Sequence, residues 1–116
     1  MMNKYRDKSD FEINKAVAEI TINGDWYLSP TDEQPFTFFN YGINSSKTVE
    51  LPDYCNNPAD AMPIIIENGI SMVRVNNEWS ARQFNNHCIE VNDSNYYRAA
   101  MEVFLMMKDA ENETNT

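Results

Sequence analysis

Two stretches decide the fold of this chain: residues 54–71, which read YCNNPADAMPIIIENGIS, and residues 98–107, which read RAAMEVFLMM. In the first stretch Asn57 is a good N-cap, and Pro58 follows at the first helical position, where its missing amide costs nothing. Gly69 closes the segment, because glycine readily takes the left-handed conformation that ends many helices. The stretch therefore predicts a short helix that starts at Pro58 and stops just before Gly69.

The second stretch predicts the strongest helix of the chain. It follows three residues, 93–95, that are all acceptable N-caps. A core stripe at helical spacing is formed by Tyr97, Ala100, Met101, Phe104 and Leu105, and it is widened by Val103, Met106 and Met107. Such a wide apolar surface is typical of a central packing element. Residues 111–116 are polar, so we expect a disordered tail after a single domain that spans residues 1–110.

Three strand-like segments lie between the two helices. They cover residues 70–75, 78–84 and 88–92, and the pairs Asn76-Asn77 and Asn85-Asn86 separate them. Asparagine tolerates the positive φ angle that tight hairpin turns require. The spacing therefore predicts a three-stranded antiparallel meander.

The first half of the chain gives fewer signals. Ser9 and Glu12 form a capping-box pattern, and apolar residues at helical spacing predict a helix that ends near Thr21. Residues 24–53 predict only a short strand over 36–40. Together these elements predict a small single domain of the α+β class, with helices packed on a three- to four-stranded antiparallel sheet in the order α-(β)-α-β-β-β-α.

The composition bears on the partners of the chain. Its 18 acidic and 9 basic residues give a formal net charge of -9, which repels phosphate backbones and favours basic partners. An acidic surface can also serve solubility alone. We expect no binding to nucleic acid, and no membrane span, because no apolar run approaches about 20 residues. Two widely spaced cysteines and a polar N-terminal segment favour the reducing cytoplasm.

Residues with catalytic or metal-binding chemistry are few. His87 and Cys88 are adjacent, but neighbouring residues at the start of a strand point to opposite faces, which disfavours a nucleophilic pair. Cys55, His87 and Cys88 lack the close spacing of a zinc site. The chain holds 3 glycines, too few for a phosphate-binding loop. We therefore expect no cofactor, no metal and no enzymatic activity.

Six residues are candidates for binding a partner protein. Four are carboxylates that helix caps, turns and solvated faces would also explain, namely Asp60, Glu67, Glu78 and Glu90. The other two are Met106 and Met107, which fall beside the main stripe of the last helix. Methionine makes adaptable binding surfaces, although a methionine stripe is more often core.

Three motifs together resemble a known family: residues 9–14, 54–65 and 98–107 are similar to the NinX-like proteins of tailed phages and prophages. The second half more loosely resembles the phage alpha-beta-alpha sandwich domain. This resemblance implies a small accessory protein in an infected or lysogenic bacterium, and it brings no functional residues with it. By analogy, we expect binding to a host protein. The alternatives are a DNA mimic that inhibits a host nucleic-acid-processing or defence enzyme, and a small enzyme of unknown reaction.

Overall fold

The computed structural model describes residues 3–22, 25–40, 46–84 and 88–114. Its helices are α1 (Asp10–Thr21), α2 (Pro58–Glu67) and α3 (Tyr96–Thr114). Its strands are β1 (Asp25–Leu28), β2 (Phe36–Asn40), β3 (Ser46–Glu50), β4 (Ser71–Val75), β5 (Glu78–Gln83) and β6 (Ile89–Asp93). The helices and the antiparallel meander confirm the predicted α+β class.

The strands form two antiparallel sheets, in the orders β1-β2-β3 and β4-β5-β6. The second sheet is the predicted meander, and its first hairpin closes with Val75 paired to Glu78. Only β2 of the first sheet was predicted from the sequence. Its partners β1 and β3 carry no clear alternation of apolar and polar residues, which explains why they were missed. The predicted turn Asn85-Asn86 lies outside the described residues.

Local sequence signals set the ends of the elements. The side chain of Ser9 accepts a hydrogen bond from the Glu12 amide at the start of α1. At the end of α2 the Ile70 amide donates to the Ile65 carbonyl at 3.1 Å, while Gly69 has a φ of 62°. These are the features of a Schellman motif, and they confirm the predicted end of the helix before Gly69.

Helix α3 is the centre of the molecule. Every residue from Arg98 to Met107 is buried, and α3 packs against β5, β6, α1 and α2. The largest fully buried side chains include Ile13 from α1, Ile89 from β6, and Met101 and Leu105 from α3 itself. A helix that is covered all round explains why its apolar surface exceeds the usual single stripe.

The end of α3 differs from the prediction. Residues 111–114 are helical, although the sequence predicted a disordered tail from residue 111. Ala110 is buried, and the carboxylate of Asp109 accepts a hydrogen bond from the Tyr5 hydroxyl and pairs with Lys4. These contacts hold the preceding turn and let the helix continue. Asn115 and Thr116 lie outside the described residues.

Candidate functional site

A buried ion network lies where α3 begins. Arg98 donates from Nε to the Glu102 carboxylate at 2.7 Å and from Nη1 to the Asp10 carboxylate at 2.8 Å. Its Nη2 donates to the backbone carbonyls of Tyr5 and Lys8. Arg98 is 7% exposed and Glu102 is fully buried. Hydrogen bonds to Glu102 and Asp10 keep the pKa of Arg98 raised against the opposing effect of burial.

The N-terminal segment completes this network. Asn3 donates to Glu102 at 2.7 Å, and Arg6 donates to Glu102 at 2.8 Å. Arg6 also donates to the Asn92 carbonyl and pairs with the Asp93 carboxylate at the end of β6. Among the described residues, every buried side-chain polar atom has a hydrogen-bond partner. The network therefore joins the N-terminal segment, α1, β6 and α3.

Sequence reasoning missed this network. The apolar pattern of residues 98–107 predicted a core helix and assigned no role to Arg98 or Glu102. The signal that could have found it is the spacing of Arg98 and Glu102, four residues apart within an otherwise apolar helix. Two opposite charges inside a core stripe are expected to pair, because unpaired charges are costly to bury.

The two cysteines have opposite environments. Cys55 is fully buried, and its amide donates to the side-chain oxygen of Asn14 at 3.0 Å. Burial raises the pKa of the Cys55 thiol, with a further contribution from the nearby Asp10 carboxylate. Cys88 is exposed and free. His87 lies outside the described residues, so the predicted absence of a His87-Cys88 pair stays a prediction.

A cavity of about 340 Å³ lies between the end of β3 and the start of α2. It is lined by Glu50, Leu51, Pro52, Asp53, Asn57 and Asp60. The Asp53 amide donates to the Asp60 carboxylate at 3.1 Å, and Asn14 donates to the Asp53 carboxylate at 3.0 Å. Within the described ranges no group of three or more acidic, histidine or cysteine side chains is placed to hold a metal ion.

The four candidate carboxylates occupy three elements of the fold. Asp60 and Glu67 lie at opposite ends of α2, whereas Glu78 and Glu90 lie on β5 and β6. Asp60 is held by the Asp53 amide, and Glu90 pairs with Arg82 at 3.2 Å. Glu67 and Glu78 are exposed, and they have no ion pair or side-chain hydrogen bond in the described part of the chain.

The two candidate methionines are core residues. Met106 is 5% exposed and Met107 is 9% exposed, so neither offers a partner an accessible surface. The sequence placed them beside the main stripe and raised the possibility of surface anchors. Their burial agrees with the commoner interpretation of a methionine stripe as core, because α3 is covered by two helices and a sheet.

Exposed apolar side chains occur on several elements, and two of them lie on the second sheet. Val73 and Val75 are each 39% exposed and share one face with Glu78, because paired strand residues project to the same side. Strand β4 is at the edge of its sheet. We call this surface the β4 edge: strand Ser71–Val75, with Glu67 before it and Glu78 after it. It combines accessible apolar and acidic groups.

Comparisons with known proteins give one family. The family described as "Bacteriophage P22, NinX" matches residues 4–108 of this chain. The search of curated proteins found no match, and the search of solved structures found none either. In the described ranges, none of the helices has the length and apolar character of a membrane span.

Proposed function

Because this chain belongs to the phage NinX family, we propose that it acts as an accessory protein by binding a host protein, without catalysing a reaction. The proposed location is the cytoplasm of the infected or lysogenic bacterium. The single observation that carries the proposal is the exposure of the Glu67 and Glu78 side chains and their lack of ion pairs in the described part of the chain. Both carboxylates are exposed and unpaired among the described residues, on either side of exposed Val73 and Val75.

Unpaired carboxylates beside apolar groups suit a basic protein surface. Charge complementarity speeds the encounter, and the apolar groups supply buried area in the complex. The net charge of -9 makes the electrostatic potential of the whole molecule negative, which also attracts a basic partner. Asp60 and Glu90 contribute less to this surface, because each already has a partner within the chain.

The proposal is tested by affinity capture with charge-reversed variants. Tagged protein is incubated in lysate of a host bacterium, and retained proteins are identified by mass spectrometry. The double variant Glu67→Lys, Glu78→Lys should retain the predominant partner about tenfold less well, which corresponds to roughly 1.4 kcal/mol. The Kd is then measured with the purified partner at two salt concentrations, since added salt should weaken the wild-type complex.

A matched control separates local contacts from net charge. Glu19 is an exposed carboxylate on α1, and the variant Glu19→Lys makes the same charge change as either single variant, Glu67→Lys or Glu78→Lys, on a different element. It should bind the partner as the wild type does. Equal binding by all the variants would contradict the role of Glu67 and Glu78.

The small enzyme remains a second candidate because of the acidic cavity. The volume of this cavity, about 340 Å³, is at the lower end of the volumes of ligand pockets, and three carboxylates line the cavity. If a metabolite screen detects turnover that Asp53→Asn abolishes, while no host protein is enriched, the enzyme replaces the binding protein. Release of a captured nucleic-acid enzyme by competing duplex DNA would instead favour the DNA mimic.

A further inference from the structure

The hairpin geometry shows which backbone groups of β4 are available. Its turn has two residues, Asn76 and Asn77, and Val75 pairs with Glu78 directly beside it. In a hairpin of this kind the residues next to the turn bond to each other, and bonded and non-bonded pairs then alternate. The amide and carbonyl groups of Met72 and Arg74 therefore point away from β5. These groups have no hydrogen-bond partner among the residues that the structure describes.

The usual protection of an edge strand is weak here. Natural edges are often blunted by proline, by lysine or by a bulge. Strand β4 contains no proline, and its register with β5 is continuous. Its one charged side chain, Arg74, lies 5.3 Å over the ring of Trp79. The opposite edge of the sheet is different, because Arg6 donates to the Asn92 carbonyl of β6 at 2.9 Å.

Charge indicates what kind of strand fits this edge. Glu67 precedes β4 and Glu78 follows it, and both are exposed without a partner among the described residues. An added strand would lie about 4.8 Å from β4 and about twice that distance from β5, which carries Glu78, so lysine or arginine side chains are the ones long enough to extend across β4 to this carboxylate. Glu67 lies at the end of α2, four residues before the start of β4, where a basic residue at the other end of the added strand would meet it. A second copy of this chain would bring the same carboxylates and a net charge of -9, which opposes self-pairing.

We propose that the β4 edge binds an extended segment of a basic partner protein, which pairs with β4 as a fourth strand of the second sheet. The segment bonds to the backbone of Met72 and Arg74. Its apolar residues cover Val73 and Val75, and flanking lysine or arginine residues meet Glu67 and Glu78. This inference rests on the proposed function and names the binding mode of the same surface.

The probe is a fluorescein-labelled peptide of alternating threonine and valine with a lysine at each end, titrated with the full chain by anisotropy. The variant Arg74→Pro removes an outward amide, a position where proline is tolerated in an edge strand. The variant Arg74→Ala is the control, because it loses the contact with Trp79 but keeps the amide. Arg74→Pro should bind the peptide about tenfold more weakly than Arg74→Ala, as expected for about 1.4 kcal/mol.

Two further measurements make the test independent of folding defects. Peptide methylated on alternate backbone nitrogens should also bind about tenfold more weakly. Amide exchange at Met72 and Arg74 should slow when the unmodified peptide is added. Equal binding of the methylated and unmodified peptides, or protection confined to other strands, would overturn the inference. The inference would also be overturned if the chain formed a dimer in which the Met72 and Arg74 amides exchange slowly without added peptide.

The two proposals fail separately. If Arg74→Pro and Arg74→Ala retain a captured host protein equally well, the fourth-strand inference is wrong while the proposed function stands. If the peptide binds at Met72 and Arg74 but no host protein is captured, the inference stands and the proposed function loses its support.

Discussion

At the scale of single residues, the sequence predicted features that depend on neighbouring residues, but it did not predict contacts between residues far apart in the chain. The caps at Ser9, Asn57 and Gly69 depend on neighbours within a few positions, so the sequence alone predicted them. The same holds for Asn76, whose φ is 57° in the tight turn. Arg98 differs because its carboxylate partner Asp10 is 88 positions away. No local pattern contains that pairing.

The contrast between the cysteines gives a prediction about thiol chemistry. In native protein a thiol reagent should modify Cys88, which is exposed, and should reach Cys55 only after denaturation. The yield is followed by absorbance and mass spectrometry. Cys88→Ala should abolish the native reaction. Rapid native labelling of Cys55 would contradict the burial of that residue.

The raised pKa of Cys55 also sets a pH dependence. The unfolded thiol loses its proton at about pH 8.5, whereas the folded thiol keeps it. The folded state therefore binds more protons above that pH, and the free energy of unfolding should fall by up to about 2 kcal/mol by pH 10. Urea melts across this range should show a smaller decline for Cys55→Ala than for Cys88→Ala. Equal declines would show that Cys55 does not cause the effect.

At the scale of elements, the predictable part of the fold was the part with repeated signals. Helix α3 and strands β4 to β6 combine periodic apolar residues with recognisable turns, and the structure confirms them. The first sheet was largely missed, because β1 and β3 are short and their sequences alternate poorly. Their formation depends on pairing across β2, which is tertiary information. In the candidate site, Glu67 and Glu78 are exposed whereas Met106 and Met107 are buried. The sequence pattern could not show this difference in exposure.

The buried network around Arg98 and Glu102 gives a prediction about the free energy of unfolding. Arg98→Met leaves Glu102 buried with fewer partners, so we expect a loss of about 3–5 kcal/mol in the free energy of unfolding. The control is Lys4→Met, which removes an exposed pair with Asp109 and should cost less than about 1 kcal/mol. Denaturant melts compare the two variants. Similar small losses in both would show that the network contributes little.

At the scale of the whole molecule, charge predicts the behaviour towards nucleic acid. The net charge of -9 should prevent binding to duplex DNA or RNA at physiological salt. Anisotropy titrations with labelled duplexes should show no binding at micromolar protein. Salt-sensitive binding tighter than micromolar would refute this prediction, and it would also remove the DNA-mimic alternative, since a mimic carries the charge of DNA.

The central position of α3 has a consequence for biosynthesis. Helices α1 and α2 and strands β5 and β6 are made earlier, and the apolar faces of these four elements pack against α3. A ribosome must therefore finish residues 96–110 before the core can close. Until then the nascent chain displays Ile13, Ile64 and Ile89 to chaperones and proteases. A premature stop codon anywhere before α3 should yield a chain that the cell degrades, and no partly active fragment.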